Sequence, residues 1–223
     1  MQTDNFQKFY RSTYARLGFP LRAKDGLALK SIRAAERNIG VKLPKALTDY
    51  YLVAGRERTL NNAFNFLRHP SEWEVHSKRL IFMEENQCAV VWGIKGGSVP
   101  GNDPAVYQSQ IVDGEPRAWH TEQIKCSNFL VFALHLQSAY GGGMPLAASA
   151  TAKQSLAVTL NKHWHFGGEV GGMRAYSREN QAVCFSKWRG FFDEDATWRV
   201  FAGAQTKDGL DSIARDLGLQ WES

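Results

Sequence analysis

The chain has 223 residues, 43% of them hydrophobic and 22% charged, with a formal net charge of +5. That balance fits a globular protein and excludes a disordered chain. No apolar run approaches the roughly 20 residues needed to cross a bilayer. The three cysteines, Cys88, Cys126 and Cys184, are few and far apart, which points to reduced thiols in a cytoplasmic setting, not to a disulfide framework. The first ten residues lack a charged segment followed by an apolar one, so no secretory signal is expected there. The charge is uneven. Residues 1–80 hold 15 Lys and Arg against 7 Asp and Glu, whereas residues 81–223 hold 12 against 15.

Residues 5–17 read as a helix, with Asp4 as a cap, an aromatic stripe of Phe6, Phe9, Tyr10 and Tyr14, and Gly18 as its end. A second helix starts near Asp25 and carries Leu29, Ile32, Ala35 and Ile39 on one side. Gly40 stands where a left-handed turn needs a residue without a Cβ. Leu43 is held extended by Pro44, which suits the first turn of a third helix through Leu47, Tyr50, Tyr51 and Ala54, stopped by Gly55. The pattern therefore predicts two helices joined by a fixed elbow.

Beyond Gly55 the signal is β. R-L-I-F-M and C-A-V-V-W-G-I read as strands around an E-E-N-Q turn, A-V-Y-Q-S-Q-I-V as another strand, D-G-E-P as a turn and R-A-W-H as a short strand. Ser127 is placed to cap an apolar helix, N-F-L-V-F-A-L-H-L-Q-S-A-Y, ended by three glycines. The small residues at 147–152 read as a boundary. A short helix around Ser155–Leu160, three more strands and a final helix capped by Asp208 complete the chain. The expected architecture is α+β, a central, mostly antiparallel sheet with helices packed on it. Residues 1–223 read as one domain, with residues 150–223 a strand-rich extension of the first sheet.

Few groups suggest chemistry. His163 and His165, two apart, would share a face on a strand and could join the acidic D-E-D at 193–195 around a metal. Without a third ligand at a diagnostic spacing, polar strand residues are the preferred reading, and no metal or cofactor is expected. The glycines of G-G-E-V-G-G match no phosphate-binding loop and mark a bend or bulge. Glu84 and Glu85 diverge at a hairpin, so they do not form a catalytic pair. Cys88 and Cys184 sit in apolar strands and do not look activated. No catalytic residue is assigned, and the chain is read as a binding protein, not an enzyme. The exposed positions expected to contact a partner are Arg56, Trp73, Glu84, Asn86, Asp103 and Tyr107.

Ile32, Glu36, Ile39-Gly40, Leu43-Pro44, Tyr50-Tyr51 and Ala54-Gly55, in that order, resemble the core of the SUKH superfamily. The strand pair L-I-F-M-E-E-N-Q-C-A-V-V-W, the step Asp103-Pro104-Ala105-Val106 and the apolar helix N-F-L-V-F-A-L are similar to the later segments of that family's core. Together these cover about residues 25–140, and Ala54 stands where the family usually has Asn. The resemblance implies a SUKH-like α+β fold and a non-catalytic, protein-binding role. Many bacterial members look like immunity proteins that neutralise a cognate toxin, and a fungal relative regulates cell-wall synthesis. It implies that Ile32, Glu36, Gly40, Leu43, Pro44, Tyr51 and Gly55 bear the fold, with contacts left to the surface. The alternatives are a regulatory scaffold for an endogenous protein and nucleic-acid binding through the basic first third, the latter disfavoured because no Lys/Arg run exceeds two residues. Oligomeric state is not specified by the sequence.

Overall fold

The computed structural model describes residues 5–96, 102–140, 142–188 and 196–222. Helix α1 is Phe6–Arg16, α2 is Leu29–Ile39 and α3 is Lys45–Ala54. Strands β1 (Phe66–Leu67), β2 (Glu74–His76), β3 (Arg79–Glu84), β4 (Val90–Lys95), β5 (Ala105–Val112) and β6 (Glu115–Lys125) come after them. Next are α4 (Cys126–Ala139), β7 (Leu146–Ala152), α5 (Leu156–His163), β8 (His165–Val170), β9 (Met173–Arg178), β10 (Gln181–Trp188), β11 (Thr197–Ala204) and α6 (Lys207–Leu217). Every strand pairing among the described residues is antiparallel, and the fold is α+β.

Contacts divide the chain into two compact units. The first comprises the residues up to Ser12 with Pro20–Leu130, and the second comprises Thr13–Phe19 with the residues from Val131 onward. The divide falls inside α1 and inside α4.

In the first unit the sheet runs β1-β3-β4-β5-β6, with β2 also on β3. Register places Leu80, Ile94 and Val106 side by side on one face, all essentially fully buried. Phe82 and Trp92 continue that face and meet Phe129 of α4 at ring distances of 5.9 and 5.8 Å. Helix α3 is apolar around most of its circumference, burying Leu47, Tyr50, Tyr51 and Val53. Tyr10 packs edge-on against Tyr50, and its hydroxyl donates to the Ala46 carbonyl at 3.0 Å.

In the second unit the sheet order is β7-β11-β10-β9-β8. One face carries Tyr176, Val183, Phe185 and Val200, closed by Leu160 and Trp164 and by Ile213 and Leu217 of α6. The opposite face is lined mostly by small side chains, with Phe201 opposite Cys184 and edge-on to Tyr140. Ala182 pairs with Ser177 and Gly203, and Cys184 with Ala175. The last turns of α4 lie on this face. The Cys184 thiol points at the His135 carbonyl, and a Cβ at Gly203 would fall inside contact distance of the Ser138 carbonyl.

Several expectations are corrected. Among the described residues the C-terminal strands pair with one another and not with the first sheet. The small residues at 147–152 form β7 and not a boundary, because its partner β11 supplies the aromatic bulk in Phe201 and Trp198. W-H-F-G-G-E-V-G-G-M-R-A-Y is a hairpin of two strands, with Gly171 and Gly172 at positive φ in its turn. R-A-W-H belongs to the 11-residue β6. The second helix begins at Leu29, with Asp25 in a separate 3-10 turn, and Pro44 is the cap of α3. Helix α6 is capped by Thr206, whose side chain accepts from the Gly209 amide at 3.1 Å; Asp208 lies inside the first turn. Cys88 is exposed in the β3–β4 turn. The expected cap Asp4 and the acidic residues 193–195 lie outside the described residues.

Candidate partner-binding surface

The elbow between α2 and α3 is held by one carboxylate. Gly40 adopts a φ of 70° and its amide donates to the Glu36 carbonyl, which ends α2 in the left-handed region that glycine enters without strain. Val41 donates to the same carbonyl at 3.2 Å. The Glu36 side chain, 5% exposed, then reaches across the turn: Oε1 accepts from the Leu43 amide at 2.8 Å. The Arg33 guanidinium donates to both carboxylate oxygens, at 2.8 and 2.6 Å. The buried Leu43 amide has no partner in α2 or α3 other than this side chain, so without Glu36 it would stand unpaired at a cost of about 1–3 kcal/mol. Pro44 comes next in extended backbone and starts α3. Most of the sequence motif is therefore committed to the elbow or to the core beneath it, where Ile32 and Tyr51 are fully buried, and Gly55 ends α3 with its amide on the Tyr51 carbonyl.

Below the elbow, Tyr51 organises the approach to the sheet. Its hydroxyl donates to the Arg68 carbonyl at 2.6 Å and accepts from the Trp73 indole at 3.0 Å. Burial raises the Tyr51 pKa and keeps the phenol neutral. Trp73 is thus 5% exposed and belongs to the core, a correction to its expected place on the surface. An indole with one polar atom is satisfied by a single well-placed acceptor, and Tyr51 supplies it.

The remaining five positions separate. Glu84 is half-buried and accepts two bonds from Arg68, at 2.9 and 2.7 Å; Glu74 pairs with the same guanidinium at 2.9 Å. Burial works against the Arg68 charge, but the bonds to Glu74 and Glu84 more than offset it and raise its pKa. Asp103 is not free either: its carboxylate accepts from the Ser127 amide at 2.8 Å and from the Ser127 hydroxyl at 2.5 Å. It is therefore Asp103, 24 residues upstream, that caps α4 in place of Ser127. Tyr107 is half-buried under the Arg79 guanidinium, 4.5 Å from its ring centroid, with Trp119 on the same cation at 5.4 Å. Asn86 is exposed in the β3–β4 turn, and Arg56 is exposed just past the end of α3.

Two of these residues share one surface. Arg56 lines a cleft of about 580 Å³ with Arg58, Asn61, His69 and Glu72. A neighbouring cleft of about 490 Å³ shares Asn62, Leu67 and Glu72 with it and adds Arg68, Glu74 and Glu84. Most of the lining is committed to the fold. Asn61 donates to the Ala54 and Glu57 carbonyls at 2.7 Å each, and its oxygen accepts from Tyr50 at 2.6 Å. The Glu57 carboxylate accepts from the Thr59 and Leu60 amides, and Glu72 from the His69 amide. The clefts offer mixed charge on a rigid rim, a surface suited to docking.

The His163 and His165 pair weighed against a metal site is not arranged as the spacing suggested. His163 ends α5 and His165 begins β8, so the two are not on one strand, and no cluster of three metal-ligating side chains occurs among the described residues. The Cys184 thiol is pushed up to about 12 by burial, and burial likewise raises the Cys126 pKa well above that of a free thiol. No helix among the described residues is long and apolar enough to cross a membrane. Sequence reading misses the Glu36 tie and the Asp103 cap. The four-residue Glu36–Gly40 spacing is visible, but nothing local in the sequence says that a carboxylate turns back to Leu43. No family model, curated protein or solved structure matches the chain.

Proposed function

We propose that this chain is a non-catalytic protein-binding domain of the SUKH kind, an immunity protein that neutralises a cognate toxin by stoichiometric binding in the cytoplasm. The observation that carries this reading is the elbow. Ile32, Glu36, Gly40, Leu43, Pro44 and Tyr51, residues of the family-like motif, serve one continuous structural task, and two clefts past the end of α3 carry mixed charge. A surface of that kind works by complementarity over an area on the order of 1,600 Å². The mixed charge around Arg56 and Glu84 would set the register of a partner and speed its capture.

The test is cross-linked capture of the tagged full-length chain from its own cells. Native mass spectrometry then gives stoichiometry, and the captured protein is expressed with and without this chain. The expected result is a one-to-one complex whose partner arrests growth only when the chain is missing. Recovery of no stoichiometric protein partner would overturn the binding reading. A partner that is harmless alone would overturn immunity and leave a regulatory scaffold.

A further inference from the structure

The elbow also builds a groove that none of the sequence-derived contact residues touches. It has a volume of about 620 Å³ and is lined by the cations Arg33, Arg37 and Lys42, by Gly40, Val41 and Leu43, and by Glu36, whose carboxylate is held by Arg33 and the Leu43 amide. Lys30, Arg33 and Arg37 are spaced by three and four residues, which puts them on one exposed stripe of α2. From Leu27 to Thr48 the chain carries five cations and a single acid, Glu36, and one of the five, Lys45, is paired with Asp49 just beyond. That acid lines the groove too, but it is nearly buried and already paired with Arg33 and the Leu43 amide, so its charge is offset there. The positive region continues past the groove. Gly96 lies so close to Val41 that a Cβ there would sit 3.3 Å from its methyl carbons, and the Gly96 amide donates to the Lys78 carbonyl at 2.8 Å. The exposed Lys78 and Lys95 are therefore carried by backbone lying against the elbow.

Resting on the protein-binding reading above, we infer that this groove receives an acidic segment of the partner protein, with a carboxylate on Arg37 and Lys42 and an apolar side chain on Val41 and Leu43. Charge complementarity selects an anionic occupant. The lining decides between kinds of anion. A nucleic-acid strand gains sequence-independent affinity from stacking on aromatic rings, and the groove lining has none. Aliphatic carbons beside cations instead match a peptide that alternates carboxylates with aliphatic side chains. Arg37 is the stronger anchor, since its planar fork accepts a carboxylate in two bonds, whereas part of the Arg33 charge is already engaged by Glu36.

The experiment titrates the isotope-labelled full chain, observed by backbone-amide NMR. The probes are a 16-residue peptide of four Leu-Glu-Asp-Glu repeats, the same peptide with Leu replaced by Ser, and a 16-nucleotide single-stranded DNA. The Leu peptide is expected to shift the amides of residues 30–43, to bind at least threefold tighter than the Ser peptide, and to weaken as salt rises. The double variant Arg37→Glu/Lys42→Glu, both positions exposed, is expected to keep its thermal midpoint and lose fivefold or more in affinity. The inference is overturned if residues 30–43 do not move, if the Ser peptide binds equally well, if the oligonucleotide binds those residues more tightly, or if the double variant loses less than fivefold. Hydrogen exchange on the captured one-to-one complex separates the two levels. Protection confined to other residues rejects the groove and leaves the binding reading standing, while absence of any complex rejects the binding reading itself.

Discussion

The two sheets solve the same packing problem in opposite ways. In the first unit Leu80, Phe82, Ile94 and Val106 present large side chains, and Phe129 of α4 interlocks with them ring to ring. In the second unit the face that meets the end of α4 is mostly small, Ala175, Ser177, Ala182, Cys184 and Gly203 with Phe201 as the large exception, and at Gly203 backbone approaches backbone. Interlocked large side chains can absorb a change by moving rotamers. A surface of small residues has no such slack, because main chain must shift before an added atom fits.

That difference is broken most directly by adding one methyl group to each sheet. Gly203→Ala places a Cβ against the Ser138 carbonyl, with the Met144 sulfur 3.1 Å away. Backbone cannot yield cheaply, and the expected loss is about 3–4 kcal/mol. Gly93→Ala in the first sheet meets the Leu80 carbonyl at 2.9 Å and the Trp119 ring edge at 3.0 Å. The ring can tilt, and although the Leu80 carbonyl is backbone it is approached less closely than the Ser138 carbonyl at Gly203, so a smaller loss of about 2 kcal/mol is expected there. Urea unfolding of both variants, with hydrogen exchange assigning the loss to residues 175–204 or 80–119, checks the order. Equal losses would remove the distinction between the two faces.

Acid sharpens the comparison, because the small-residue face holds a buried histidine. The His135 Nδ1–H donates to the Val131 carbonyl at 2.7 Å, which leaves Nε2 to accept from the Ser177 hydroxyl at 2.9 Å. Gly167 makes room for the ring, since a Cβ there would lie 2.6 Å from it. Burial lowers the His135 pKa to about 4 from an ordinary 6.5, and the neighbouring His165 and Arg16 push the same way. The unfolded chain therefore takes up a proton between pH 6.5 and 4 that the folded chain refuses. Stability contributed by the neutral ring is full above 6.5 and is lost as pH falls towards 4, by about 3 kcal/mol in all. The urea midpoint of the second unit should drop between about pH 7 and 4.5, and His135→Gln should flatten that slope. An unchanged slope in the variant would show that other groups carry the acid response.

The first unit relies instead on the carboxylate of Glu36. Glu36→Ala leaves the buried Leu43 amide unpaired and should cost about 2–3 kcal/mol. Glu36→Gln keeps an acceptor for Leu43 and should cost about 1 kcal/mol, chiefly through the weakened bond to the exposed Arg33. Thermal unfolding of the pair decides whether the tie or the charge matters. Equal destabilisation would mean that Arg33, and not the Leu43 amide, is the partner that counts.

These contrasts mark how far the sequence is readable. Helix α2, the Gly40 turn and α3 are written locally, in apolar spacing and in Gly and Pro, and they can be read there directly. The β3–β4 hairpin is legible for the same reason. The second unit is harder because its strands are short of bulk. A-A-S-A-T-A reads as a boundary by composition, and is a strand paired with β11, which supplies the aromatic side chains. The candidate surface is least legible of all. Exposure at Trp73 and Asp103 depends on partners at Tyr51 and Ser127, 22 and 24 residues away in sequence. A groove of Arg37, Lys42 and Val41 exists only once the chain has turned at Gly40.

The smallest expected effects concern the caps, and they repeat the contrast in miniature. The first unit caps α4 from a distance. Asp103 accepts two bonds from Ser127, which is 3% exposed, and the Cys126 amide donates to the adjacent Pro104 carbonyl at 2.8 Å. Removing that carboxylate in Asp103→Ala unpairs a helix terminus and a hydroxyl together, and a loss of about 2 kcal/mol is expected. The second unit caps α6 locally. Thr206 accepts one exposed bond, from an amide three residues on, so Thr206→Ala should lose about 1 kcal/mol. Thermal midpoints of the two variants rank them. A larger loss at Thr206 would mean that α6, the helix closing the large-side-chain face through Ile213 and Leu217, depends on its terminus more than on its buried stripe.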